Sequence, residues 1–508
     1  MRNFLVAFSM LTGAGLLLHC SSIPSFCEGA ECGSEYGTEG GVDVAPPPVG
    51  CDETADPKSA PLCVDDSYGV FIDSVNGNDA AAGTKASPVK TITHALNLLG
   101  DPQKPRIYIC GTGTLNEHVE LTSAVSLYGG FACSNWEYNG QKATVKSDGA
   151  SPALQLTRLP SAITVSDLRF EAQPGQNSGD SSIAVFTVNS IITFTRTELV
   201  AHAGATGSNG ADGLTGSRAQ TSIGDKNANG TTPGIGVACT CTIGDNITTT
   251  TGGNGGPVNR NGSRGNSVPP VPNLASDAGA GGTGDTNDCL PIAQGKPGAA
   301  APPGKNGNAI APLLGTLAPA GWSTSDGNPG EDGGPGQGGG GGGGNADGAG
   351  GGGGCGGCGG SGGGGGQGGG SSVALLSYQS IVTLNSCQLL TDQAGNGGQG
   401  GPGGLGMAST EGNEGRGGVG SVDNNHGCPG ASGGAGGAGG GGSGGAGGIS
   451  AAILYSGSQP TTDSDCTLTL TTADAAVGGT GGASDGSNNG PSGLVGKMVS
   501  ADDWTVTP

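Results

Sequence analysis

The sequence predicts an all-β chain, a solenoid of short stacked coils interrupted by glycine-rich insertions. Three observations predict it. Short runs rich in Val, Ile, Leu and Thr recur with Gly, Pro, Asn and Asp between them and no helical pattern intervening. One stretch repeats without a gap 190 residues later. The glycines are unevenly spread, since only 20 of the 112 precede residue 201.

Composition excludes several classes. The 508 residues are 12% charged and 4% aromatic, against about 25% charged in an average protein. That rules out a coiled coil and a compact helical enzyme. Collagen needs Gly at about one position in three throughout, which the front of the chain lacks. The net charge is −22, from 19 Lys+Arg against 41 Asp+Glu. No basic cluster is present to neutralise phosphates, so nucleic acid is excluded as a partner. The acidic balance favours solubility.

Residues 1–19 read as a signal peptide. Arg2 supplies positive charge and Phe4 to Leu18 a short apolar stretch, too short to span a bilayer. Leu17-Leu18-His19-Cys20, followed by Ser21-Ser22, resembles a bacterial lipoprotein cleavage box, with His19 where that box carries a small residue. The resemblance implies lipidation at Cys20 and a membrane partner reached through a lipid anchor. The expected location is the cell envelope, as an outer-membrane lipoprotein facing the periplasm or cell surface; without lipidation the chain is secreted.

Setting Cys20 aside, 14 of the 15 cysteines remain. An even number in an exported chain reads as a disulfide framework. Local candidates are Cys51–Cys63, Cys110–Cys133 and Cys27–Cys32, each contributing roughly 2–4 kcal/mol. Pairings in the second half are left open. Residues 20–65 are poor in apolar residues and contain Pro46-Pro47-Pro48; they read as a tether with small disulfide loops.

Residues 66–200 read as a cap and the first coils. Gly69 to Asp73 is a strand candidate, and Asn76-Gly77-Asn78-Asp79 a turn. Pro88 to Leu99 places Ile92, Ala95, Leu96 and Leu99 at helical spacing, ended by Gly100 and Pro102. Phe71-Ile72-Asp73, Asn76 to Asp79, Gly83-Thr84, Pro88, Thr91-Ile92 and Ala95-Leu96 together resemble the opening segment of pectin-lyase-like proteins. That resemblance implies a right-handed single-stranded parallel β-helix whose first coil is closed by a short capping helix. With the preceding Cys51-to-Cys63 stretch, the chain looks like predicted myxobacterial-type β-helix lipoproteins with Gly-rich inserts.

Coil-length apolar runs follow at Arg106–Cys110, Val125–Tyr128, Ala153–Leu156, Ile163–Phe170, Ile183–Val188 and Ile191–Phe194. The repeat aligns Ser181 to Phe194 with Ser371 to Leu384, and Leu199 with Leu389. A weaker third copy begins at Ile449 and runs to Leu468 and Leu470. One coil cannot bury its own face, whereas stacked coils share a core. The expected division is therefore a coil at 371–394, a coil at 449–476, Gly-rich insertions at 201–370 and 395–448 leaving from one corner, and a Gly/polar tail at 477–508.

The glycines recur every third residue, as at 204, 207, 210, 213 and 216 and at 433, 436, 439, 442, 445 and 448. A three-residue period suits the extended helix shared by polyproline II and collagen, and Gly lets neighbouring backbones approach. Two glycines in every three suggest polyglycine-II-like bundles, similar in period alone to Gly-rich antifreeze and phage-tip bundles. Residues 333–370 contain 28 glycines. Ordering each costs roughly 1–2 kcal/mol, while a backbone hydrogen bond returns about 1 kcal/mol. An isolated run is thus expected to be a flexible loop, and a run docked on the coils and cross-linked could be ordered.

No catalytic constellation emerges. Gly-Gly-Ser-Gly-Gly at 359–363 and 441–445 matches the serine-hydrolase elbow in letters, without the strand-to-helix context or a His and acid partner. Cys355-Gly356-Gly357-Cys358 has zinc or redox spacing, but no second pair with metal spacing follows; a clasp or bonds to two other cysteines is the favoured reading. His94, His118, His202 and His426 show no metal spacing. Asp73, Asn76, Asn78 and Asp79 offer a weak Ca2+ set, with an Asx turn favoured. Uronate lyases of this fold use acidic Ca2+ ligands with an Arg or Lys base. Asp73, Asp79, Asp148 and Asp167, with Lys142, Lys146, Arg158, Arg169 and Arg196, lie in or near the coils but in no lyase motif. A lyase would place such residues on neighbouring coils of one face.

The expected function is a non-enzymatic cell-envelope lipoprotein for surface display, adhesion or matrix structure. The alternative is a carbohydrate-active β-helix protein, a polysaccharide lyase or glycan binder, with an extracellular polysaccharide as partner. Ice binding ranks third, because the glycines lie in insertions and not in a flat Thr array.

Overall fold

The computed structural model describes residues 43–149, 152–220, 227–243, 246–284, 289–310, 313–346, 348–408 and 427–507. The expected signal peptide, Cys20, Cys27, Cys32 and His426 lie outside them. The chain is all-β. Among the described residues α-helix is confined to Ile92–Leu96, inside the predicted helical stretch. Thr91 Oγ1 accepts from the His94 amide, and the Glu117 carboxylate accepts from the Ile92 and Thr93 amides, meeting the donors a helix start leaves free.

Three sheets of parallel strands form the body. The first has seven strands, in the order Gly69–Asp73, Arg106–Cys110, Ser126–Phe131, Ile163–Ser166, Ile191–Thr195, Ile381–Asn385 and Thr461–Thr462. The second, also of seven, runs from Val119–Leu121 through Leu154–Thr157, Ser182–Val188, Ser372–Tyr378 and Ser450–Ser456 to Val495–Ser500, with Val506–Thr507 antiparallel at its edge. The third, of six, stacks Thr114–Asn116, Ala143–Lys146, Leu168–Glu171, Glu198–Val200, Gln388–Thr391 and Thr467–Leu470. From Arg106 onward, each pass of the chain lays one strand in each sheet in turn.

Register makes the core. Leu115, Val145, Phe170, Leu199 and Leu389 occupy paired positions on five successive strands, and each is at most 2% exposed. Burying such a side chain contributes about 1.5–3 kcal/mol. The gapless repeat is a physical register: Ser182 pairs with Ser372, Ile191 with Ile381 and Leu199 with Leu389. Two corners use left-handed backbone. Asp167, Arg196 and Ser386 have φ of 56°, 51° and 53° where the first sheet gives way to the third. Asn189 and Gln379 do the same, with φ of 46° and 48°, between the second sheet and the first. At the remaining corner, from third sheet to second, the chain leaves for the long segments 201–371, 392–449 and 471–494.

Residues 44–65, in the predicted tether, pack on the outer side of the first sheet. Phe71, Tyr108 and Tyr128 form a paired column there, and Val64, Phe131 and Trp136 cover it. Tyr108 Oη donates to the Cys63 carbonyl at 2.5 Å. An aromatic column facing outward needs a cover, and the Cys51–Cys63 loop is part of it.

The glycine-rich segments are joined by backbone hydrogen bonds at three-residue intervals. Gly351, Gly354, Gly357, Gly360, Gly363, Gly366 and Gly369 donate to Cys428, Ala431, Gly434, Gly437, Gly440, Ser443 and Ala446 at 2.9–3.0 Å. Ser361, Gly364, Gln367 and Gly370 donate instead to Leu214, Ala211, Ser208 and Ala205. The carbonyls of the same run accept from Gly327–Gly342 on one side and from Gly395–Met407 on another. From Gly357 to Gly370 the run therefore has four hydrogen-bonded neighbours.

This packing dictates where glycine is required. A Cβ on Gly360 would collide with the Gly404 carbonyl, and one on Gly359 with the Gly333 carbonyl. The side chains of the run, Cys355, Cys358, Ser361 and Gln367, all fall in the remaining third of positions. The run 204–216 has fewer neighbours and keeps glycine at one position in three. Disulfides Cys239–Cys355, Cys241–Cys358 and Cys289–Cys428 tie the runs across separations of 116, 117 and 139 residues.

Candidate functional site

The strands of the third sheet alternate in and out, as half-buried strands do. Ala143 and Val145 point into the core, and Thr144 and Lys146 point outward. Leu168 and Phe170 are buried, and Arg169 and Glu171 face out. Pairing then stacks Lys146 beside Glu171 and Arg169 beside Glu198. Lys142 and His202 flank these columns from the adjoining corners.

The result is a continuous ionic ladder over three passes. Lys146 Nζ lies 3.0 Å from Glu171 and Lys142 Nζ 2.7 Å from Glu198. Arg169 bridges both carboxylates, at 3.2 Å to each. His202 Nε2 lies 3.2 Å from Glu171. The side chains are half-buried. Burial pushes the Glu171 carboxyl up, but hydrogen bonds from Lys146, His202 and Arg169 outweigh it and bring it down to about 2. The Glu198 carboxyl is raised by burial and lowered further by Lys142 and Arg169, with a net fall. A general acid or base works best with a pKa near the working pH, and these carboxylates are moved away from it. The charges of this face are paired with one another across three passes.

The bases and acids predicted from sequence divide accordingly. Lys142, Lys146 and Arg169 come together on this face. Arg196 and Asp167 form a separate cluster at a corner, where Arg196 also binds Asp56 at 2.6 Å and Tyr138 Oη donates to Asp167. Asp148 and Arg158 are exposed and stand apart. Sequence reasoning missed Glu171, Glu198 and His202 as members of the ladder. Their signal is the register between passes, which appears only once the coils are aligned.

The loop proposed for Ca2+ is occupied by its own backbone. Asp73 Oδ1 accepts from the Val75 and Asn76 amides, Asn78 Oδ1 from Ala80, and Asp79 Oδ1 from Lys90 and Thr91. These are Asx turns and a clamp on the helix start. The Lys90 ammonium donates to the Ser74 and Val75 carbonyls, so a cation already meets the loop. Asp73, Cys110 and Cys133 cluster within 4.8 Å, but the two sulfurs are bonded to each other and offer no thiolate. Cys355 and Cys358 bond to two other cysteines rather than to one another.

A cleft of about 370 Å³ lies between the outer side of the second sheet and the hairpin Gly315–Ala318/Gly321–Thr324, lined by Gln155, Phe186 and Trp322 among others. Asp180 is the single ionisable residue in its wall, so it holds no acid–base pair. Trp322 Nε1 donates to Ser371 Oγ at 2.9 Å. No family model, curated protein or solved structure matches this chain.

Proposed function

We propose that the chain is a non-enzymatic cell-envelope lipoprotein, anchored through Cys20, whose role is surface display, adhesion or matrix structure. In this reading the three sheets close as a right-handed single-stranded parallel β-helix, and the glycine runs form a polyglycine-II-like bundle carried at one of its corners. The observation that carries it is the periodic hydrogen bonding of the glycine runs together with three long-range disulfides. Such bracing builds a rigid body over a large part of the chain while supplying no reactive group. The test compares cells lacking the gene with complemented cells. Lost adhesion and altered surface hydrophobicity are expected. Unchanged adhesion, gliding and surface hydrophobicity would overturn the reading.

The ionic ladder favours a second reading, a glycan binder. It places Lys and Arg with Glu on neighbouring passes of one face, spaced by about 4.8 Å per strand, a geometry that polyhydroxylated or uronate chains can follow. Binding on a glycan array without depolymerisation of polyuronates is the expected result. A blank array removes this reading, and depolymerisation would restore the lyase alternative.

A further inference from the structure

Ten of the described cysteines form five disulfides, and two, Cys387 and Cys466, are free thiols. These two are neighbours. The strand Gln388–Thr391 pairs in parallel with Thr467–Leu470, starting at Gln388 opposite Thr467. Cys387 and Cys466 each stand one residue before that pair, so they sit side by side on consecutive passes. The Thr467 amide donates to the Cys387 carbonyl at 2.8 Å. The Cys387 amide lies 3.2 Å from Cys466 Sγ. Adjacent strands run about 4.8 Å apart, inside the Cα separation of roughly 4.4–6.8 Å that a disulfide accepts.

We propose that Cys387 and Cys466 are a further cross-linking site, forming a disulfide that ties the last pass of the third sheet to the one before it. The five existing bonds mark an oxidising environment. Cys466 Sγ already faces the Cys387 pass, and Cys387 Sγ is directed away from it. Cys387 Sγ lies 3.2 Å from Thr197 Oγ1, toward the preceding pass, while Cys466 Sγ reaches the Leu384 carbonyl at 3.3 Å. Rotation of Cys387 about its Cα–Cβ bond releases Thr197 and brings the sulfurs together.

The oxidant is a disulfide-donating compound, either a small-molecule disulfide or a protein dithiol oxidant in its oxidised form. Cys466 is the more accessible thiol. It loses its proton and attacks one sulfur of the oxidant, forming a mixed disulfide and releasing one thiolate. Cys387, deprotonated, displaces the second. The two cysteines together lose two protons and two electrons, and the oxidant's disulfide is reduced to two thiols. Burial first, with Asp463 and Cys387 adding to it against the Cys387 amide, pushes the Cys466 thiol up to about 12. Since the thiolate is the attacking species, the bond forms slowly near neutrality and faster in alkali.

The test uses the native full-length protein. It is incubated with oxidised glutathione at pH 7 and pH 9, then alkylated under denaturing conditions, digested without reductant and mapped by mass spectrometry. A peptide pair joined through Cys387 and Cys466 is expected, appearing about tenfold faster per pH unit. Alkylation of both residues after prolonged oxidation overturns the proposal, and so does linkage of either to a different cysteine. Cys387→Ser should stop the reaction at the mixed disulfide, leaving Cys466 joined to glutathione and to no other cysteine; because the mapping is done on the unsubstituted chain, a misfolded variant does not affect the result.

Discussion

Arg196 holds Asp167 through two hydrogen bonds, 2.9 Å from Nε and 2.6 Å from a terminal nitrogen. The two residues occupy the same left-handed corner on neighbouring passes. Asp167 is 2% exposed, so its carboxylate depends on this partner. Replacing Arg196 by Met leaves the carboxylate buried with Tyr138 alone. A loss of about 2–3 kcal/mol is expected in urea unfolding. Tyr138→Phe, which removes one donor, should lose about 1 kcal/mol. An unshifted midpoint for Arg196→Met would show that the corner does not rely on the pair.

Gly333 and Gly334 are adjacent, yet their substitutions should have different effects. A Cβ on Gly333 meets the Gly437 carbonyl, whereas one on Gly334 meets only the Ala301 methyl, at 3.5 Å. Gly333→Ala should destabilise by about 1–3 kcal/mol through overpacking. Gly334→Ala should be neutral or stabilise by up to about 1 kcal/mol, by restricting the unfolded chain. Thermal melts of the two variants side by side decide the matter, and equal effects would refute the packing argument.

Acid sensitivity should trace partly to Glu171. Its ordinary value is 4.5 and its folded value about 2, so the native state holds it ionised where the unfolded chain would protonate it. The stabilisation is therefore complete above about pH 4.5 and is lost as pH falls toward 2. Discounted for solvent screening, it amounts to about 1–2 kcal/mol. Glu171→Gln should remove it at neutral pH and flatten the stability profile across that window. A variant with the same acid limb as the parent would rule this out.

Hydrogen exchange should reveal the glycine bundle directly. The amides of Gly357, Gly360 and Gly363 each donate to another run, and exchange there should be orders of magnitude slower than in an unstructured glycine chain. Replacing Cys355 and Cys358 by Ser removes two long cross-links, each contributing roughly 2–4 kcal/mol, and protection should fall across residues 351–370. Fast exchange in the unsubstituted protein would reduce the runs to loops.

The sheet register was legible because Ser181–Phe194 and Ser371–Leu384 align without a gap, and strands of like pattern stack most easily in register. The three-residue glycine period was legible for a related reason, since backbone contact leaves its mark directly on composition. The ladder of Lys146, Glu171, Arg169 and Glu198 was not. Its members come from strands whose alignment depends on corner geometry, and no local pattern marks a charge that will meet another one pass away. The partners of Cys355 and Cys358 were hidden likewise, because Cys239 and Cys241 are more than 100 residues away and no local spacing relates them. The packing of residues 44–65 has no local signature either, because the apolar surface they cover, Phe71, Tyr108 and Tyr128, lies on strands whose other apolar residues are core.

The glycine runs have a built-in reading frame. In the proposed polyglycine-II-like geometry each residue along such a run turns by about 120°, so its three sides repeat every three residues. Adding or removing a whole triplet in 351–370 keeps every side facing the neighbour it already has. A single-residue insertion rotates all that follows, pushing Ser361 or Gln367 toward a carbonyl that tolerates only glycine. Length variation in these segments should therefore come in multiples of three, much as insertions within a coding sequence are tolerated when they preserve phase.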